Sequence, residues 1–137
     1  MSLTFISEFQ NQIYTVLLAD EEIKSSVKKV YFGAVQDGIC PFLLISIKKA
    51  EDLSRHVENI YSIEFQIAAY AKDHHHKLLV SLADKVIKAM DRSEIYFSGY
   101  KVAGVKANDI CFEKAKDLVL NKLVINYKAL IKKENYE

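Results

Sequence analysis

Three consecutive histidines, His74, His75 and His76, are the residues whose type most directly suggests chemistry. Imidazole is a common zinc ligand, but ligands on one helix must be spaced i, i+3 or i, i+4 to face one metal ion. Consecutive side chains on a helix point about 100° apart and do not converge. Asp73 is placed to cap a helix that begins here, and His56 lies in a separate charged stretch. We therefore predict a solvent-exposed first helical turn and no metal site.

The two cysteines, Cys40 and Cys111, lie far apart, and each stands within or beside an apolar stretch. A buried free cysteine behaves as a small hydrophobic residue, so we predict two buried thiols, with one disulfide as the alternative. No spacing typical of a secreted disulfide framework is present. No histidine stands at the spacing of a known cysteine nucleophile family, so nucleophilic catalysis is not supported.

Asp109 and Glu113 are the most suggestive carboxylate pair, because they flank an apolar strand centre at Cys111. Residues i and i+4 on a strand are about 13 Å apart, so a solvated strand face explains this pair better than acid–base catalysis does. The four glycines do not have the spacing of a phosphate-binding loop. We predict no catalytic, cofactor-binding or metal-binding residue and no cofactor. The chain is not expected to be an enzyme, with a small enzyme of dispersed site as the weakest alternative.

The composition is that of an ordinary globular protein. The 137 residues are 50% hydrophobic and 27% charged, which predicts one α+β domain over residues 1–137 with about six frayed residues at its end. Nineteen basic and eighteen acidic side chains give a net charge of +1, so no nucleic-acid readout is expected. The N-terminus does not resemble a signal peptide, and no apolar run approaches the ~20 residues of a membrane span. A cytoplasmic protein that does not contact membranes is therefore predicted.

Hydrophobic spacing predicts the elements that would position these residues. Helical periodicity predicts a helix over 5–18, and Asp20 is the expected N-cap of a short second helix. Pro41 precedes an apolar strand over 42–47, and residues 61–70 alternate with period two. The other predicted elements are a short strand at 30–32, a loop over 34–39, a central helix over about 74–91, and strands at 95–97, 100–105, 109–113 and 118–131.

This order predicts a mainly antiparallel sheet with the N-terminal and central helices on one face. The charged stretch at 48–57 is expected to be a hairpin connection, and Val124 suggests a bulge or burial on both faces of the last strand. We expect one stripe of the central helix to be buried against the alternating strand. The stripe consists of Leu79, Leu82 and Val86, and the strand residues that it contacts are Phe65 and Ile67. Four tyrosines supply bulky surface suited either to an interface or to packing at a sheet edge: Tyr70, Tyr96, Tyr100 and Tyr127.

The order of elements resembles the tail-completion proteins of long-tailed bacteriophages and gene transfer agents, also called tail-terminator or tail-to-head joining proteins. The likeness lies in the N-terminal helix, the short Val-Tyr-Phe strand at 30–32 and the Pro-Phe-Leu-Leu-Ile run at 41–45. It continues through the long alternating strand that ends at Tyr70, the central helix stripe and the paired closing strands. It covers about residues 3–131. Lys114-Ala115-Lys116 and a longer basic C-terminal tail depart from the family pattern.

The resemblance implies a structural protein of a phage, prophage or gene transfer agent, made in the bacterial cytoplasm and then built into the particle. Its subunits would form a homo-oligomeric ring, expected to be a hexamer, that caps the tail tube and joins it to the head–neck connector. The charged connection would then be a loop that contacts a neighbouring subunit; its residues are Lys48, Lys49, Glu51, Asp52, Arg55 and Glu58. A non-catalytic cytoplasmic adaptor or protein-binding module is the alternative function.

Overall fold

The computed structural model describes residues 4–33, 41–54, 59–72, 76–114 and 120–133. The chain forms an α+β fold with an N-terminal helix, a central helix and a curled six-stranded sheet that is mostly antiparallel. This is the predicted fold class. The predicted loop at 34–39 and the predicted cap Asp73 lie outside the described residues. No helix in the described part of the chain is long and apolar enough to cross a membrane.

The described residues form three helices, each where the sequence pattern predicted one. Helix α1 spans Thr4–Ala19 and buries Phe5, Phe9, Ile13 and Leu17, one residue per turn of the helix. The short α2 spans Glu21–Ser26, and the Asp20 carboxylate caps it by accepting hydrogen bonds from two backbone N–H groups. Helix α3 spans His76–Arg92.

The sheet has the strand order β1-β2-β3-β6-β5-β4. Among the strands of the described residues, β1 and β2 pair in parallel and the other neighbours pair antiparallel. Ser98 and Gly99 have positive φ values of 46° and 80°, which suits the tight turn between β4 and β5. The strands are β1 Lys29–Phe32, β2 Phe42–Asp52, β3 Ile60–Lys72, β4 Tyr96–Phe97, β5 Tyr100–Lys114 and β6 Leu120–Lys133.

Two strands are longer than predicted. β2 continues to Asp52 through the charged residues that the sequence assigned to a connection, because its backbone keeps pairing with β3 beyond a bulge at Lys48. The predicted strands at 100–105 and 109–113 are one strand, β5, which pairs with β6 throughout. Its register shifts at Ala103 and at Asn108. A bulge bends a strand without ending it, so polar residues near a bulge do not mark a boundary.

The two long helices pack on one face of the sheet, here called the helix face. Phe9 meets Phe65 edge to face with ring centroids 5.3 Å apart, and Phe65 stacks on Tyr127 at 5.1 Å. Burying each such large side chain contributes about 1.5–3 kcal/mol. The predicted stripe is confirmed, because all five residues are buried in one core cluster: Leu79, Leu82, Val86, Phe65 and Ile67.

No described helix packs on the opposite face of the sheet, here called the open face, which carries Glu64, Gln66 and Lys128. Part of it is apolar: Phe42 stacks on Tyr70 with centroids 4.6 Å apart, and Tyr31 meets Phe42 edge to face. Val124 is buried on this face while its neighbours Leu123 and Ile125 are buried on the helix face. The predicted two-sided burial in the last strand is therefore confirmed, and the bulges lie in the adjacent β5.

Candidate subunit interface

The residues predicted to contact a neighbouring subunit lie on a strand and not on a loop. Lys48, Lys49, Glu51 and Asp52 occupy the end of β2, here called the β2 distal segment (residues 48–52), and all four are exposed. Pairing with β3 supplies the backbone hydrogen bonds, and the exposed outer end of β2 lets charged side chains stay in water. The other two predicted contact residues, Arg55 and Glu58, lie outside the described residues.

The β2 distal segment carries two basic residues followed by two acidic ones. The Lys49 Nζ lies 3.5 Å from Glu51 Oε2, and both side chains remain more than half exposed. The Asp52 carboxylate accepts a 2.8 Å hydrogen bond from the Ser54 N–H. Hydrogen bonding from the side chain and then the backbone of Ser54 lowers the pKa of Asp52, so this carboxylate is charged at neutral pH. The segment therefore presents fixed charges of both signs in a defined order.

β5 is the other element that a neighbour could contact, and the sequence did not single it out. β4 pairs only with Tyr100 and Lys101, and the Ile95 carbonyl accepts from the Val102 N–H. Beyond this point, β6 is the only strand within the described ranges that pairs with residues 103–111. We call their other side the β5 outer edge (residues 103–111). An unpaired strand edge is a template for pairing with another strand.

The side chains of β5 are exposed as well as its edge. Ile110 is 48% and Phe112 55% exposed, although both lie on the helix face. Neither α1 nor α3 covers this end of the strand. Cys111, on the open face, is a free and exposed thiol, so the predicted burial is wrong for this residue. The other thiol, Cys40, lies outside the described residues. The apolar run Ile110-Cys111-Phe112 indicated a strand, but not whether other elements covered it.

The carboxylates of β5 bond to side chains of β6. Asp109 accepts a hydrogen bond from the Asn126 amide, and Glu113 lies 3.1 Å from the Lys122 Nζ. Both carboxylates are exposed on the open face. Each therefore has its own cross-strand partner, as expected for a solvated strand face.

The predicted tyrosine surface divides between core and exterior. Tyr127 is only 2% exposed and belongs to the core, whereas Tyr96 is 51% exposed at the end of the sheet. Tyr100 stacks on Phe97 with centroids 5.5 Å apart, and Tyr70 stacks on Phe42. Three of the four therefore pack within the fold, and Tyr96 alone among them offers a largely exposed ring.

His74, His75 and the side chain of His76, which form the histidine cluster, lie outside the described part of the chain. Within that part, no group of three His, Cys, Asp or Glu side chains could hold a metal ion. A cleft of 440 Å³ lies between the end of α3 and the start of β5, and Asp91, Glu94 and Lys101 are among its lining residues. Ser93 also lines this cleft. Its hydroxyl donates a 2.7 Å hydrogen bond to the Met90 carbonyl in the last turn of α3.

Solved structures that share this fold include a gene transfer agent chain and a bacteriophage protein. A chain in the virion of a native gene transfer agent particle superposes with a TM-score of 0.75 at 15% identity, covering 90% of this chain and 93% of that one. Bacteriophage SPP1 gp17 superposes with a TM-score of 0.57 at 14% identity, covering 88% of this chain and 86% of gp17. No protein-family model matches the chain, and no curated protein sequence does. At these identities the likeness establishes a shared fold.

Proposed function

We propose that this protein is a structural subunit of a phage-like particle that forms a ring, caps the tail tube and joins it to the head–neck connector. The observation that carries the proposal is the fold match with a gene transfer agent virion chain, which extends over nine-tenths of both chains. The match with a bacteriophage protein adds a second structure from the same kind of source. The resemblance in element order to tail-completion proteins supplies the specific role.

The physical requirements of a cyclic ring fit the exposed surfaces. Each subunit of such a ring needs one patch complementary to a different patch on its neighbour, with a rotation that closes. The β2 distal segment and the β5 outer edge are two different exposed surfaces, and they lie toward opposite edges of the sheet. The subunit is proposed to act without catalysis or a cofactor, as one folded domain made in the host cytoplasm and then built into the particle.

Light scattering across a concentration series, at low and high salt, tests for ring formation. We expect mass to rise from monomer toward a single closed oligomer, with the transition at higher protein concentration when salt screens the exposed charges. Negative-stain microscopy of the same samples reports whether the oligomer is a ring.

Tail binding is tested with headless tail tubes purified from a host strain that lacks the gene for this protein, so that the tube ends carry no copy of it. We expect the protein to bind at one end of each tube. Complete particles are the matched control, because their tube ends are already occupied and should bind none. A strict monomer at millimolar concentration that also fails to bind these tubes would refute the proposal in favour of the adaptor or protein-binding module.

A further inference from the structure

We infer that neighbouring copies join by antiparallel pairing of the β5 outer edge of one copy with the β2 distal segment of the next, so that one sheet continues across the interface. This inference rests on the proposed ring and specifies its contact surface. The partner is a second copy of this chain, and four structural features support that choice.

The first feature is the direction of the strands. β2, β3, β6 and β5 are successive antiparallel neighbours, so β5 runs opposite to β2 within one subunit. If β5 pairs antiparallel with β2 of the next copy, that copy has the same strand direction and presents its helices on the same side. A parallel pairing would turn the helices of the next copy to the other side. With antiparallel pairing, the same rotation can therefore relate each copy to the next, as a closed ring requires.

The second feature is the order of the charges. Along β5 the basic Lys106 precedes the acidic Asp109, and along β2 the basic Lys49 precedes the acidic Glu51. Antiparallel pairing places each residue opposite a charge of the other sign, whereas parallel pairing places like charges together. Opposite charges across strands stabilise a pair, and like charges destabilise it.

The third feature is the register, in which the bulge at Asn108 matters. Because of this bulge, Lys106 and Asp109 are two pairing positions apart along β6 and both lie on the open face. Lys49 and Glu51 are also two positions apart, and they too lie on the open face. The matching register therefore sets Lys106 opposite Glu51 and Asp109 opposite Lys49.

Between these two pairs, Ala107 of one copy lies opposite Ala50 of the next. Both alanines are on the helix face of their own subunit. The register therefore preserves the two faces of the sheet as well as the charge pairs. Small side chains at this position also leave room for two subunits to approach.

The fourth feature is an apolar surface that the same register brings together. β1 covers β2 only at Phe42–Ile45, and Gly33 N–H donates to the Ile45 carbonyl. Past the charged pairs, β5 of one copy therefore reaches the end of β1 in the next. Ile110 and Phe112 arrive there on the helix face, where Phe32 is 37% exposed. Burial of these residues would supply the affinity, and the charges would set the register.

Disulfide trapping tests the register directly. In a Cys40→Ser, Cys111→Ser background, Ala107→Cys with Ala50→Cys should give a ladder of covalent oligomers on mild oxidation, up to the closed ring. Each single variant should remain uncrosslinked. Ala103→Cys with Ala50→Cys is the matched control, because the shifted cysteine lies about 13 Å along the strand. Circular dichroism checks that every variant is folded.

Charge exchange gives an independent measurement by light scattering. Lys106→Glu and Glu51→Lys should each weaken association about threefold to tenfold, and the double variant should regain most of it. Lys88→Glu on α3 makes the same charge change away from both surfaces and should have no effect.

The outcomes separate this inference from the proposed function. Rings, or tail binding, without the Ala107–Ala50 crosslink and without charge-exchange rescue would overturn the inference and leave the tail role standing. Covalent dimers from Ala107→Cys alone would also overturn it, because they would mean that two β5 strands pair symmetrically. Absence of oligomers, crosslinks and tail binding together would refute both.

Discussion

Tyr127→Phe removes one oxygen atom from the core and leaves the ring in place. The hydroxyl is buried with no hydrogen-bond partner among the residues that the structure describes, and the ring stacks on Phe65. A buried polar group without a hydrogen bond costs about 1–3 kcal/mol, while the apolar burial of the ring is the same in phenylalanine. We expect the variant to equal the wild type at neutral pH or to gain up to about 1 kcal/mol in free energy of unfolding.

High pH should separate the two proteins further. Burial, with a smaller contribution from the Asp91 carboxylate, raises the pKa of the Tyr127 phenol well above its ordinary value of 10.0. Above that ordinary value the phenol loses its proton in the unfolded chain but keeps it in the native protein. The unfolded state then binds fewer protons, so wild-type stability falls as pH rises, by about 1.4 kcal/mol at one pH unit above the ordinary pKa. The phenylalanine variant lacks this loss, and the other tyrosines cancel in the comparison.

Urea melts of both proteins at about pH 7.5, 9 and 11 measure this difference. The advantage of the variant should widen by about 1.4 kcal/mol between the two higher values. Tyr96→Phe is the matched control: its side chain is 51% exposed, so the change should stay within about 0.5 kcal/mol at neutral pH. A loss above about 1 kcal/mol for Tyr127→Phe at neutral pH would refute the reasoning, because it would mean that the hydroxyl is bonded in the native protein.

Three further predictions concern Leu82, Asp20 and the histidine cluster. Leu82→Ala should lower the free energy of unfolding by about 2–5 kcal/mol in urea melts, because it empties a fully buried position; a loss under about 0.5 kcal/mol would mean the core face is misassigned. Asp20→Ala should cost about 0.5–2 kcal/mol by the same assay, since two N–H groups of α2 lose their cap, and Asp20→Asn should restore most of it; equal losses in both variants would contradict a capping role. Replacing His74, His75 and His76 together with Gln should leave the melting temperature and the metal content of protein purified without a nickel column unchanged; stoichiometric zinc present only in the wild type would contradict this.

The spacing of apolar residues in the sequence was enough to predict the helices and strands whose pattern repeats several times. α1 buries every third or fourth residue, and its predicted limits differ from the observed ones by one residue at each end. The residues of β3 alternate in the sequence over 61–70 and gave an unambiguous strand, although Ser62 and Ala68 on the open face are buried as well. The cap at Asp20 forms between its own carboxylate and the N–H groups of Glu22 and Ile23, two and three residues further along the chain. These features depend on neighbours in sequence, so a sequence contains enough information to predict them.

The candidate interface depended on tertiary structure. The backbone of the partner strand sets the length of a strand. β2 continues past the bulge at Lys48 because β3 still pairs with it, and β5 continues past the bulge at Asn108 because β6 still pairs with it. Exposure is set by which element lies above a residue. Ile110 and Cys111 have the side chains of a buried strand, yet both are exposed. No described helix covers Ile110 at this end of the helix face, and Cys111 lies on the open face, where no described helix packs. Hydrophobic pattern tells which side of a strand is suited to burial, and only the placement of distant elements decides whether that side is covered.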